Sequence, residues 1–221
     1  MYFYAVSLGG AISTHYLIND DANTPFSGAV TYGTPMNPVM TTKNLREKLY
    51  GIYDWGLGIS LNLKVRPCLP MLAKHCSKEK AETFRRALYD SSFRLTEFDN
   101  NMIAPMFGYK DSMDYYRASV ISGKLHKITR CPTMFIEGND DPLMTPESFP
   151  RAEIAKTPNV ILAITERGGH CCHLTHSTRK VFGVAILDPL SWLFPSSNWF
   201  AGPTIDFFNT IEELHRQKQL N

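Results

Sequence analysis

Residues Ala5–Gly9, AVSLG, differ at one position from the pattern G-x-S-x-G. That pattern folds only as a sharp turn between a strand and a helix, because small residues must flank the serine for the backbone to double back. The neighbouring sequence meets this demand. Tyr2–Val6 is a short apolar and aromatic run suited to a buried strand, and Gly9–Leu17 carries apolar residues at helical spacing, with Ala11, Leu17 and Ile18 on or near one face. Gly9 and Gly10 follow the serine, and Ala5 stands where glycine is usual. Ser7 is therefore expected at a strand-to-helix junction.

The remainder of the chain alternates in the same way. Ser27–Tyr32 (SGAVTY) reads as a second strand, closed by Gly33-Thr34-Pro35. From about residue 40 to 127 the pattern is helical, with KEKAETFRRALYDSSF its clearest amphipathic segment. Cys131–Gly138 (CPTMFIEG) and Asn159–Thr165 (NVILAIT) read as two more strands. A short helix is expected at TPESFP, with Thr145 as its N-cap and Pro146 at the first position. A final amphipathic helix is expected in PTIDFFNTIEELHRQK, with Ile205, Phe208, Ile211 and Leu214 as its apolar positions. Strands separated by helices imply an α/β fold with a mainly parallel sheet and a helical insertion after the second strand. The expected organisation is one domain over 1–221: a nucleophile strand, helix and next strand (1–35), a helical cap region (36–127), and C-terminal strands and helices (128–221).

A serine hydroxyl becomes a nucleophile only when a base removes its proton, and the base is normally a histidine oriented by a carboxylate. Both partners follow in the required order. IEGNDDPLM places Asp140 and Asp141 in the turn after the third strand, and ITERGGHCCH places His170 after the fourth, behind Gly168 and Gly169. A serine, an acid and a histidine at successive strand ends are far more specific than the serine motif alone. The backbone N–H of Leu8, the residue after the serine, is the expected oxyanion donor.

The chain resembles the YheT-like, embryogenesis-associated branch of the α/β-hydrolase-domain esterases, which includes monoacylglycerol lipases and phospholipases. The matching stretches are VSLGG at 6–10, FGYKDSMDYYRASV at 107–120, GNDDPL at 138–143 and GGH at 168–170; the pair Tyr115-Tyr116 followed by Ser119 is characteristic of the branch. The resemblance implies Ser7 as nucleophile, Asp141 as the acid, His170 as the base, and Asp140 as a turn-shaping residue. It implies hydrolysis of carboxylic esters, often lipid acyl esters, with no cofactor and no metal. It also implies strands ahead of the serine that this chain does not carry, so the expected fold is the C-terminal part of an α/β-hydrolase with a helical cap. Two alternatives stay open: a truncated remnant with at most a binding role, and a lipid acyltransferase.

Composition excludes other classes. The chain is 43% hydrophobic and 20% charged with net charge +2, which gives no basic footprint for nucleic acid. No window reaches the ~18 apolar residues of a membrane span, and no signal-peptide layout is present. Expected partners are a small ester or lipid and no nucleic acid, with membrane association arising only from a missing N-terminal part. The expected location is intracellular or membrane-associated. Five cysteines, Cys68, Cys76, Cys131, Cys171 and Cys172, suggest free thiols. The stretch HCCHLTH holds His170, His173 and His176 but lacks the C-x₂₋₄-C spacing of a zinc site. His15 and Asp20 form H-x₄-D, a five-residue step that turns ~140° on a helix and does not converge. Trp192, Phe194, Trp199 and Phe200 are an aromatic cluster, read first as packing and second as an acyl pocket.

Overall fold

A computed structural model describes residues 1–89, 93–175, 178–181, 184–187 and 197–220. It divides into two compact units: Met1–Met36, Ile121–Pro142 and Phe149–Asn221 form the first, and Asn37–Val120 with Leu143–Ser148 form the second.

The first unit is built on four parallel strands in the order β1 (Tyr2–Val6), β2 (Gly28–Tyr32), β3 (Thr133–Gly138) and β4 (Val160–Thr165). The register runs Tyr2↔Gly28, Ala29↔Thr133 and Thr133↔Val160. Every residue of β2 and β3 is buried, as expected for central strands covered on both faces, whereas the outer strands β1 and β4 are only partly covered. Helix α1 (Leu8–Asp20) connects β1 to β2 and buries Ala11, Leu17 and Ile18. A short helix, α9 (Arg151–Ile154), lies between β3 and β4. The fold is α/β with a parallel sheet and a helical insertion after the second strand, as expected.

One carboxylate fixes the approach to β3. Asp21 is buried and its Oδ2 accepts from Thr129 N–H (2.8 Å), Thr129 Oγ1 (3.0 Å) and Arg130 N–H (2.7 Å), while Oδ1 accepts from Cys131 N–H (3.1 Å). Three consecutive backbone donors that would otherwise be orphaned are satisfied by one side chain.

Helix α10 (Ala201–Leu220) corrects one expectation. Its inward stripe is Thr204, Phe207, Phe208 and Ile211, a clean i, i+3, i+4, i+7 set. Phe207 and Phe208 pack on Val30, Tyr32, Met134 and Ile136. Ile205 and Leu214, expected on that face, are 57% and 51% exposed. The aromatic pair at 207–208 has the larger surface to bury, so it sets the rotation of the helix. The region after His170 adds short antiparallel pairs that the sequence pattern did not disclose: β5 (Leu174–Thr175) with β8 (Ser197–Asn198), and β6 (Thr178–Val181) with β7 (Val184–Leu187).

The second unit is helical: α2 (Pro38–Glu47), α3 (Ile52–Val65), α4 (Leu69–Lys74), α5 (Lys78–Tyr89), α6 (Leu95–Phe98), α7 (Ala104–Phe107) and α8 (Ser112–Ala118). Its core is Phe84, Ala87, Leu88, Phe98 and Met102, so the amphipathic segment at α5 packs inward as its spacing predicts. Residues 143–148 belong here because Asn44 Nδ2 donates to Leu143 O (3.0 Å) and Thr41 Oγ1 to Met144 Sδ (3.4 Å). The expected helix at TPESFP is one 3₁₀ turn, Pro146–Ser148. Thr145 does not cap it through its side chain, because its buried Oγ1 has no hydrogen-bond partner among the described residues. The tyrosine pair acquires a role: Tyr116 is buried and its hydroxyl donates to Asp99 Oδ2 at 2.6 Å, at the start of a π-turn over Asp99–Ile103. Burial, offset partly by that hydrogen bond and reinforced by the nearby Asp54, pushes the Asp99 carboxyl up to about 6. Among the described residues, no helix is long and apolar enough to cross a membrane.

Candidate active site

Four segments converge at the C-terminal ends of the four parallel strands, where α/β sheets place their ligands. Ser7 follows β1, Gly33-Thr34 follow β2, Asp140-Asp141 follow β3, and Gly168–His170 follow β4. Parallel pairing brings these ends to one edge of the sheet although Ser7 and His170 lie 163 positions apart in the chain.

Ser7 has φ 52° and ψ −126°, a backbone conformation that costs an L-residue of order 1–3 kcal/mol. The turn is held on both sides, by Ser7 N–H donating to Tyr32 O (2.8 Å) and by Ser7 O accepting from Gly10 N–H (2.9 Å). Leu8 is the first residue of α1, so its N–H has no intrahelical acceptor.

Ser7 Oγ lies 2.9 Å from His170 Nε2, and His170 Nδ1 lies 2.7 Å from Asp141 Oδ2. A carboxylate can only accept, so Nδ1 carries the imidazole proton and Nε2 is left to accept from the serine hydroxyl. The Asp141 side chain is 1% exposed and that of His170 is 18% exposed, so the pair is screened from water at the acid and open at the base. The three expected residues are thus brought within hydrogen-bond reach of one another.

The loop carrying His170 is braced separately. Asp140 Oδ2 accepts from Gly168 N–H (3.1 Å) and Oδ1 from Gly169 N–H (2.8 Å), so it braces the histidine loop rather than only its own turn. His173 is buried against this loop. Its Nε2 meets Thr165 Oγ1, its N–H donates to Tyr32 Oη (3.3 Å), and its ring stacks on Trp199 with centroids 5.8 Å apart. Burial depresses the His173 pKa, so the ring is held neutral. Gly168 has φ 153°, and a Cβ there would lie 2.2 Å from His173 Cε1.

Two further residues at the site were not singled out in the sequence. Gly33, at φ 59°, lets the β2 turn lie directly against the histidine: a Cβ there would meet Cys171 Sγ at 2.8 Å and His170 Cε1 at 3.1 Å. Glu137, fully buried on β3, accepts from Thr34 N–H at 2.8 Å. An acid inside the otherwise apolar run TMFIEG is the signal that could have found it.

The rival sites separate from this geometry. All five cysteines are free thiols. Burial pushes the Cys171 thiol up to about 12, which keeps it protonated. Among the described residues no group of three His, Cys, Asp or Glu side chains could hold a metal; His176 lies outside them. Asp20 Oδ1 accepts from Asn23 Nδ2 at 2.7 Å. Of the aromatic cluster, Phe200 stacks on Tyr4 (5.4 Å) and packs on Tyr32 (4.7 Å), and Trp199 covers His173. Trp192 and Phe194 lie outside the described residues.

A parallel sheet with a strained serine after one strand, an acid after another and a histidine after a third defines a class. The chain belongs to the alpha/beta hydrolase fold family, whose model matches residues 1–177. Among curated proteins it is similar to an abhydrolase domain-containing protein of Dictyostelium discoideum, 31% identical over 166 residues, covering 74% of this chain and 40% of that protein. It is also similar to YheT of Escherichia coli (28%; 85% and 50% covered) and to a monoacylglycerol lipase of Saccharomyces cerevisiae (27%; 76% and 37% covered). The chain therefore spans half or less of the length of each of these relatives.

Proposed function

We propose that this chain is a serine carboxylic ester hydrolase. Ser7 attacks the ester carbonyl, and His170 Nε2 takes the serine proton and returns it to the leaving alcohol. Asp141 holds the imidazole with Nδ1 protonated and stabilises the imidazolium as it forms. The Leu8 N–H donates to the developing oxyanion. Water then enters by the reverse sequence, with His170 again acting first as base and then as acid, and releases the carboxylic acid. One observation carries this reading: the continuous line from Ser7 Oγ through His170 to the buried Asp141 carboxylate, at 2.9 and 2.7 Å. The strained serine backbone supports it, because strain of this kind is retained where it presents a reacting group.

Lipid acyl esters are the proposed substrate class. The support is family kinship with a protein named as a monoacylglycerol lipase and with others named as phospholipases.

A fluorophosphonate probe tests the reaction. It should label the wild-type protein at Ser7, and Ser7→Ala should abolish the label. Absence of labelling, or equal labelling of Ser7→Ala, overturns the reading. Incubating the labelling-competent protein with a monoacylglycerol, a lysophospholipid and a short soluble ester then identifies the substrate class. Adding an alcohol acceptor separates hydrolysis from acyl transfer by product.

A further inference from the structure

We propose that Glu137 is a positioning residue for His170, acting through the Gly33-Thr34 turn; this rests on His170 being the base. Three contacts form the chain of action. Glu137 Oε1 accepts from Thr34 N–H at 2.8 Å. Gly33 N–H donates to Ile136 O at 3.0 Å, so both residues of the turn are tied to β3 immediately ahead of the acid. The Cα face of Gly33 then lies against the imidazole, with His170 Cε1 and Nδ1 at 3.1 and 3.3 Å from where a Cβ would stand. The turn is thus the bed on which the histidine rests, and Glu137 is its side-chain anchor. A displacement of about 1 Å in such a bed costs on the order of 10²-fold in rate.

The electrostatics explain how an acid can do this beside Asp141. Glu137 is fully buried, its Oε2 has no hydrogen-bond partner among the described residues, and its pKa is raised well above the usual carboxylate range, chiefly by burial and further by the charge on Asp141. Cys171, held as a thiol, lies within its field, and His173, held neutral, lies beyond Thr165, whose hydroxyl donates to Glu137 O at 3.4 Å. Burial and the neighbouring Asp141 charge both favour the neutral form of Glu137. It supplies an acceptor for Thr34 without adding a second negative charge to the Asp141–His170 pair.

Two substitutions of equal length separate the roles. Glu137→Met keeps the volume and removes the acceptor; Glu137→Gln keeps the acceptor and fixes the neutral state. The rate of Ser7 labelling by a fluorophosphonate should fall about 10- to 100-fold in Glu137→Met and recover most of that loss in Glu137→Gln. The acid limb of the labelling profile should have the same midpoint in Glu137→Gln and wild type. Equal rates in the two variants overturn the positioning role. A lower midpoint in Glu137→Gln overturns the neutral state, because it means a negative charge has been removed. The downfield proton resonance of His170 Nδ1–H reads the same geometry without turnover. It should be retained in Glu137→Gln and shifted or lost in Glu137→Met, and an unchanged resonance in both refutes the role. Should wild type not label at all, the hydrolase reading fails while this resonance still decides the case of Glu137.

Discussion

Asp140 and Asp141 are neighbours in the chain, yet their carboxylates serve different partners. Asp141 Oδ2 meets His170 Nδ1 at 2.7 Å, and Asp140 accepts from the N–H groups of Gly168 and Gly169 at 3.1 and 2.8 Å. One orients the imidazole; the other holds the loop that delivers it. Asp141→Asn should lower the Ser7 labelling rate by about 10³–10⁴, since an amide no longer enforces the Nδ1–H tautomer. Asp140→Asn removes one of two acceptors and should cost far less in rate while loosening the loop. Labelling kinetics paired with hydrogen exchange at residues 168–170 check both, and equal rate losses would refute the division of labour.

Gly168→Ala should be among the most damaging single-methyl changes in the chain. Its Cβ would lie 2.2 Å from the His173 ring at a φ of 153°. Neither the ring, enclosed by Tyr32 and Trp199, nor the backbone has room to give. Labelling should fall at least about 10²-fold, and the melting temperature should drop. Retention of wild-type labelling would show that the His173 contact does not set the loop.

Cys171 and Cys172 should differ sharply toward alkylating agents. The Cys171 thiol is pushed up to about 12 by burial and donates to Tyr32 O at 3.9 Å, whereas Cys172 is exposed. Brief treatment with iodoacetamide at pH 8, read by peptide mass spectrometry, should modify Cys172 and leave Cys171 intact. Modification of Cys171 first would contradict the burial.

In the helical unit, Asp99→Asn should flatten the acid end of the stability profile. The Asp99 pKa is raised from 3.8 to about 6, so the native state binds this proton more tightly than the unfolded chain. Its contribution is fully present below about pH 4 and is lost as pH rises through about 6. Asparagine keeps an acceptor for Tyr116 without the charge, so the variant should gain in melting temperature relative to wild type at pH 7 and not at pH 4. Thermal denaturation at the two values decides it.

Asp21→Ala should destabilise the first unit without touching the reacting residues. Removing this carboxylate orphans the N–H groups of Thr129, Arg130 and Cys131. The expected loss is about 3 kcal/mol, seen as a lower midpoint in urea, with Ser7 still labelled in the cold.

The parts of the site legible in the sequence are those whose local chemistry is self-contained. A serine between small residues at a strand-to-helix junction, two aspartates in one turn, and two glycines ahead of a histidine each announce a turn. Glu137 was not legible as a site residue, because its partner Thr34 lies 103 positions away and meets it only through parallel pairing of β2 with β3. The rotation of α10 was misread at Ile205 and Leu214 because periodicity names an apolar stripe but not which of two overlapping stripes the sheet will cover. The short antiparallel pairs after His170 are not legible in the sequence, because strands of two to four residues carry too little alternation.

The separation between Ser7 and His170 also bears on how the protein is made. The two residues are 163 positions apart. At synthesis rates of about 5–20 residues per second, the serine is added to the chain roughly 8–30 s before the histidine. For that interval Ser7 has neither His170 nor β4 to accompany it. On the proposed mechanism, Ser7 gains its base only when β4 pairs with β3 and brings the GGH loop to the strand ends.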